Sequence, residues 1–319
     1  MKFNWKNTGH GASDNLGKQL EKITKNMNNN QISTRRTYIK TMSRFVKHTA
    51  ISCNLQKLKN IQDKHLESYA NYLKNEGRSD KYIKNELSGI RYYHNNIDDS
   101  KHDLSNSTKF NKMIGLGSTG NHTTIDRAWT EKEVTAMQVL AYENEKPEVA
   151  KIIEVMRSTG CRIEEAATLK DHQIRQALKS QELKLHNTKG GVPRSIPLTD
   201  RAREIFTRQL KETERGHYAF TPEVYVQSHS IHSFVKQVQN FIYNHRDKIK
   251  EETREESAHN VTVNSQGALT AHGLRHAFAR EQYLQLKEVM PKEQARLEVA
   301  EMLGHHRKEI TLVYLASIK

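Results

Sequence analysis

The stretch "ELKLHNTKGGVPRSIPL", Glu182–Leu198, decides the fold class. Two runs of strand character flank Gly190-Gly191, a pair whose freedom at positive φ favours a tight reversal. Pro193 and Pro197 each lack a backbone N–H, which suits a strand at a sheet edge and not a central one. The stretch therefore reads as one antiparallel hairpin, too small to form a core without helices against it.

Upstream of the hairpin, helical spacing prevails. "WTEKEV" opens a unit at Trp129: Thr130 and Glu133 have the spacing of a capping box, and Trp129 and Val134 that of a hydrophobic staple. Before it, residues 106–128 are rich in Ser, Thr, Asn and Gly and read as a linker. The first third reads as four short helices. Leu16, Leu20, Ile23 and Met27 form one stripe, and Tyr38, Met42, Phe45 and Val46 a second, with Ser33 as its cap. Leu66, Tyr69, Ala70 and Leu73 form a third that stops at Gly77, and Ile83, Leu87 and Ile90 a fourth that starts at a Ser79 cap. Downstream, the polar stretch from Asn244 to Leu269 is either a solvated helix or a loop. The expected architecture is mainly α: a helical N-terminal domain over 1–105, the linker over 106–128, and an α+β domain with one small hairpin over 129–319.

The 319 residues carry a formal net charge of +14. The excess is uneven, since residues 1–125 hold 21 Lys and Arg against 10 Asp and Glu, whereas residues 126–319 hold 30 against 27. A concentrated positive field suits a polyanion, because each phosphate neutralised releases counterions. Nucleic acid is the expected partner. No apolar run has membrane-spanning length and no helix sets aromatic residues opposite a basic face, so no membrane partner is expected. The N-terminus lacks the apolar block of a signal peptide. Cys53 and Cys161 read as free thiols of a reducing cytoplasm.

Chemistry-bearing residues occur in four places. Arg162 follows Gly160 in "STGCRIEEAATLK", where Gly160 can end one helix and leave Arg162 at the start of another, within reach of Glu165. The helix dipole disfavours a cation there, which calls for an anion nearby. "AHGLRHAFAR" sets His272, Arg275 and His276 on one helical face, with Leu274 and Phe278 free to face a core. Lys189 sits at the hairpin turn. "LGHHRKEITLVYL", Leu303–Leu315, holds His305 after Gly304 and a tyrosine, Tyr314, nine positions on. A metal bound by His272 and His276 is the competing reading; it is disfavoured by the arginine between them and the absence of an HExxH pattern. No cofactor is expected.

Two arginines, a lysine, two histidines and a tyrosine suit phosphoryl transfer without metal. Guanidinium groups offset the charge of the phosphate oxygens in the transition state. A free phenol has a pKa of about 10, so a nucleophilic tyrosine needs an anion-stabilising pocket or a base. His272 is the candidate base, His305 a third donor to the phosphate, and Lys189 the candidate acid for the departing oxygen.

These motifs carry a resemblance. "TGCRIEEAATL", "TKGG", "HGLRHAFA" and "LGHHRKEITLVY" resemble, in order and separation, the motifs of the tyrosine recombinase (phage integrase) family, from about Trp129 to Lys319. The resemblance implies that Arg162, Lys189, His272, Arg275, His305 and Tyr314 form the catalytic set, with Glu165 supporting the first arginine. It also implies an N-terminal core-binding (SAM-like) domain and a clamp around DNA at inverted-repeat core sites. A 3′-phosphotyrosine intermediate and a homo-tetramer on two sites follow from the same resemblance, and accessory DNA-bending or directionality proteins are its further partners. With few residues upstream of Leu16, a separate arm-site-binding domain of the lambda type is not expected. The rival expectations are a type IB topoisomerase-like relaxing enzyme and a DNA-binding regulator with a degenerate site.

Overall fold

In the computed structural model the chain divides into two units, residues 1–119 and 120–319. The structure describes residues 10–26, 32–117, 126–186, 193–254, 268–305 and 314–315.

The N-terminal unit is helical. It comprises α1 (Gly11–Asn26), α2 (Ile32–Ser52), α3 (Asp63–Asn75), α4 (Asp80–His94) and α5 (Ser107–Met113), with a 3-10 turn at Leu58–Asn60. The apolar stripes close on one core that includes Leu16, Leu20, Met42, Phe45, Tyr69 and Leu87. Ser79 caps α4 by accepting from the Tyr82 N–H. Ser33, read as a cap, instead lies inside α2, which already begins at Ile32. A buried carboxylate ties three helices: Glu86 on α4 accepts from Thr41 and Arg44 on α2 (2.8 and 2.5 Å) and from the Tyr69 hydroxyl on α3 (2.9 Å). Burial, and then the Glu86 charge, push the Tyr69 phenol well above its ordinary pKa.

The stretch read as a linker contains α5, whose Phe110 is fully buried in the N-terminal core. Asn106 caps this helix through the Thr108 N–H. One aromatic anchor with Ile114 and Leu116 behind it outweighs the Ser/Thr/Asn-rich composition around it.

The second unit contains α6 (Glu131–Glu143), α7 (Pro147–Thr159), α8 (Ile163–Ala167), α9 (Asp171–Ser180), β1 (Glu182–Leu185), β2 (Arg194–Pro197), α10 (Asp200–Glu212), α11 (Glu223–Gln227), α12 (Ile231–Arg254), α13 (Ala271–Leu286) and α14 (Lys292–Met302). The two strands pair antiparallel with Leu183 opposite Ile196 and Leu185 opposite Arg194. Burial alternates along both, so Leu183, Leu185, Arg194 and Ile196 face inward. The capping box at Thr130 and Glu133 is formed at the start of α6. The polar stretch from Asn244 is helical through Arg254, as the end of α12, whose inner stripe carries Phe234, Val238, Phe241, Ile242 and Ile249.

The central element is α13. Ala271, Gly273, Ala277 and Ala279 are buried, and such small side chains let α7 and α14 approach closely. Arg157 on α7 bridges Glu131 on α6 and Glu281 on α13, each at 2.5 Å. The Trp129 indole donates to the Thr270 carbonyl at 2.9 Å, which fixes the start of α13. Among the described residues no helix is long and apolar enough to cross a membrane.

Candidate active site

The site begins where α7 stops. Gly160 has φ +64°, the left-handed conformation that terminates helices, and its N–H donates to the Met156 carbonyl at 2.9 Å. A Cβ at this position would lie 2.3 Å from the Phe278 ring, so only glycine fits both the turn and the packing. The reversal leaves Arg162 as the N-cap of α8. Its backbone N–H donates to Glu165 Oε2 at 2.7 Å, and its Nη1 to Oε1 at 2.8 Å. The dipole that disfavours a cation at a helix start favours a carboxylate in its first turn, which is where Glu165 sits.

Glu165 is buried and has a second cationic partner. Arg194, on the inward face of β2, donates Nη1 to Oε1 at 2.8 Å and Nη2 to Oε2 at 2.5 Å. Burial alone would raise the Glu165 pKa, but the hydrogen bonds and charge of Arg194, joined by those of Arg162, hold it below the usual carboxylate value.

Arg275 on α13 is fully buried. It donates Nη1 to the Gly160 carbonyl at 2.5 Å and Nη2 to the Leu303 carbonyl, so one guanidinium ties the end of α7 to the end of α14. Burial pushes its pKa down to about 10; the neighbouring Tyr314 pulls it up, and the positive charges of Arg162 and Arg194 push it down. Arg275 stays charged at neutral pH, and the Gly160 carbonyl that it grips lies two residues before Arg162.

Tyr314 lies among histidines. Its hydroxyl is 3.0 Å from His272 Nε2. His276 stacks on the phenol ring, with centroids 4.1 Å apart and planes 21° from parallel, and the His305 ring centre is 4.9 Å away. Burial, with His272 and then Arg127 and Arg275 as the next contributors, lowers His276 to about 3. Burial, then the charges of Arg275 and Arg162, lowers His305 to the same value. Both imidazoles are neutral at pH 7. His305 follows Gly304, whose φ is +62°, and its Nδ1 is buried without a hydrogen-bond partner among the described residues. The cluster is an array of cations and polarisable rings with spare donor capacity, which suits an anion.

The structure thus brings Arg162, Glu165, His272, Arg275, His305 and Tyr314 into one region. Lys189, expected from the sequence at the hairpin turn, lies outside the described residues. Among the described residues no three His, Cys, Asp or Glu side chains converge as a metal site requires. One contributor, Arg194, escaped the sequence reading, and His276 enters it only as part of a helical face. Arg194 carries a signal in its register, since it occupies an inward position opposite Leu185. His276 is visible as a member of the His272–Arg275 face, but its stacking on Tyr314 depends on tertiary structure.

Comparison with known proteins gives the family. The profile described as "Phage integrase family" matches residues 128–319, and that described as "Phage integrase, N-terminal" matches residues 13–96. A search of curated protein sequences gave no match. Among solved structures, the chain is similar to the Tn1549 transposon integrase in complex with circular intermediate DNA, at 16% identity and a TM-score of 0.57, covering 96% of this chain and 95% of that one. It is likewise similar to a lambda integrase dimer bound to a COC′ core site, at 16% identity, a TM-score of 0.59 and 94% coverage of both chains. A lambda integrase tetramer bound to a Holliday junction gives 17% identity and a TM-score of 0.58, covering 94% of this chain and 76% of that one. With its profile matched over more than half of the sequence, the chain belongs to the phage integrase family of tyrosine recombinases.

Proposed function

We propose that this protein is a site-specific DNA recombinase that breaks and rejoins duplex DNA through a covalent bond to Tyr314. The observation that carries the reading is the Tyr314 hydroxyl held 3.0 Å from His272 Nε2 and within electrostatic reach of the buried Arg275. In the forward step the Tyr314 oxygen attacks a backbone phosphorus and its proton passes to His272. The bond from phosphorus to the 5′ oxygen breaks, and that oxygen takes a proton from Lys189. Arg162 and Arg275 offset the charge on the non-bridging oxygens, and His305 donates to one of them. The ester energy is retained in the 3′-phosphotyrosine, so a 5′ hydroxyl from a partner duplex reverses the step without ATP or metal.

The solved relatives support the partner and the assembly. The Tn1549 and lambda integrases are described in complex with DNA, and lambda integrase as a tetramer on a Holliday junction. By analogy, four copies of this chain act on two duplexes, each protomer on half of an inverted repeat. The basic N-terminal unit supplies phosphate contacts, which dominate affinity, and sequence is read at base edges in the major groove.

The test is trapping on a pool of nicked random-sequence duplexes, where cleavage releases a short fragment and prevents rejoining. Wild-type protein forms a covalent adduct that is sequenced to define the site; Tyr314→Phe binds the same duplex and forms none. An adduct in Tyr314→Phe refutes the assignment. Products joined between two duplexes identify a recombinase, and relaxation of supercoils without exchange identifies the topoisomerase activity instead.

A further inference from the structure

Arg194 raises a question of charge. Glu165 lies between two guanidiniums, and a single carboxylate cannot neutralise both. Exposure decides the partition: the Arg194 and Glu165 side chains are 4% and 3% exposed, whereas Arg162 is 26% exposed. Attraction is least screened in the dry pair, and the two-pronged geometry of Arg194 on Glu165 is the strongest form of that contact. The more exposed Arg162 guanidinium reaches only Oε1, while Oε2 accepts from its backbone N–H, so its positive charge is left largely unspent.

We propose that Arg194 is a positioning residue for strand cleavage, which fixes Glu165 and cancels its charge so that Arg162 is both aimed and left cationic for the phosphate. The inference rests on the proposed function, because Arg194 acts through Arg162 only if Arg162 binds the scissile phosphate. A second contact extends its reach. A Cβ added at Gly304 would lie 2.9 Å from Arg194 Cδ, so the stem of Arg194 fills the space above a glycine that immediately precedes His305. Arg194 also begins β2, the strand paired with β1. One side chain at the stem of the hairpin therefore touches the Arg162–Glu165 pair and the turn that presents His305.

A buried ion pair that only holds the fold together predicts a different result, and kinetic coupling separates the two. Arg194→Met, Arg194→Lys, Arg162→Ala and the double variant Arg194→Met/Arg162→Ala are compared on the nicked duplex enriched from the random pool. Adduct formation and non-covalent affinity are measured at a temperature where each variant is folded by circular dichroism. Arg194→Met slows adduct formation at least about tenfold with little change in affinity, and in the Arg162→Ala background it has almost no further effect, as groups acting in one unit do. Arg194→Lys, which keeps charge but not the fork, falls between wild type and Met. If Arg194→Met does not fold, Arg194→Lys is compared in the two backgrounds with the same criterion. An equal fold loss with and without Arg162, or no loss at all, overturns the proposal. Tyr314→Phe is run alongside: an adduct in that variant sinks the catalytic reading itself, whereas its absence beside an uncoupled Arg194 sinks only this inference.

Discussion

Substituting Gly160 by alanine tests how far the site depends on one turn. Two costs are built into the position. At φ +64° a side chain strains the left-handed backbone, which costs roughly 1–2 kcal/mol. The new Cβ would also lie 2.3, 2.8 and 2.9 Å from three atoms of the Phe278 ring, which is itself buried in the core. Overpacking of this kind costs about 1–3 kcal/mol. Gly216 separates the two terms within the same unit. It too has positive φ, +87°, but nothing lies within 4 Å of a Cβ built there. Urea unfolding followed by fluorescence therefore shows Gly160→Ala destabilised by about 2–5 kcal/mol and Gly216→Ala by about 1–2 kcal/mol. Because the Gly160 carbonyl accepts from Arg275, the first variant also loses adduct formation at temperatures where it remains folded, and the second does not. Equal destabilisation by the two alanines would show that Phe278 yields freely and that the packing argument is wrong.

Glu165→Ala strands the buried Arg194 guanidinium and destabilises the protein by about 3–5 kcal/mol in urea; a loss under about 1 kcal/mol counts against the buried Arg194–Glu165 pair. His276 has a folded-state pKa lowered to about 3, so below its unfolded value of about 6.5 the unfolded chain binds a proton that the folded chain does not. Its contribution is present above pH 6.5 and is lost as pH falls, by about 1.4 kcal/mol per pH unit. His276→Asn flattens the stability profile between pH 6.5 and 5, and an unchanged slope refutes the assignment. Lys189→Ala slows cleavage of ordinary DNA but has far less effect on a duplex with a good 5′ leaving group, and equal slowing of both removes Lys189 from the acid role.

Much of this architecture follows from local chemistry that is visible without coordinates. The Ser79 cap, the Thr130–Glu133 box and the Gly190-Gly191 turn signal each depend on neighbours a few residues apart, and the first two are formed as expected. The α-stripes persist because a period of 3.6 survives any tertiary arrangement. What escaped depends on distant partners. An arginine between two prolines in a hairpin reads as exposed, and its inward position has meaning only once Glu165, 29 positions away, is known to receive it. The α5 helix was hidden by its polar composition, since its only deep anchor is Phe110. In α13, four positions separate His272 from His276, but only the folded chain reveals that Tyr314 contacts both rings.

Arg275 spans the end of α7 and the end of α14 by gripping a backbone oxygen of each. In a copy that has not finished folding, those oxygens lie apart and the guanidinium has nothing to bridge. Its charge is then not delivered to the tyrosine. For a chain proposed to sever duplex DNA this acts as an interlock: a damaged or half-built molecule is disarmed by the same defect that leaves it misshapen.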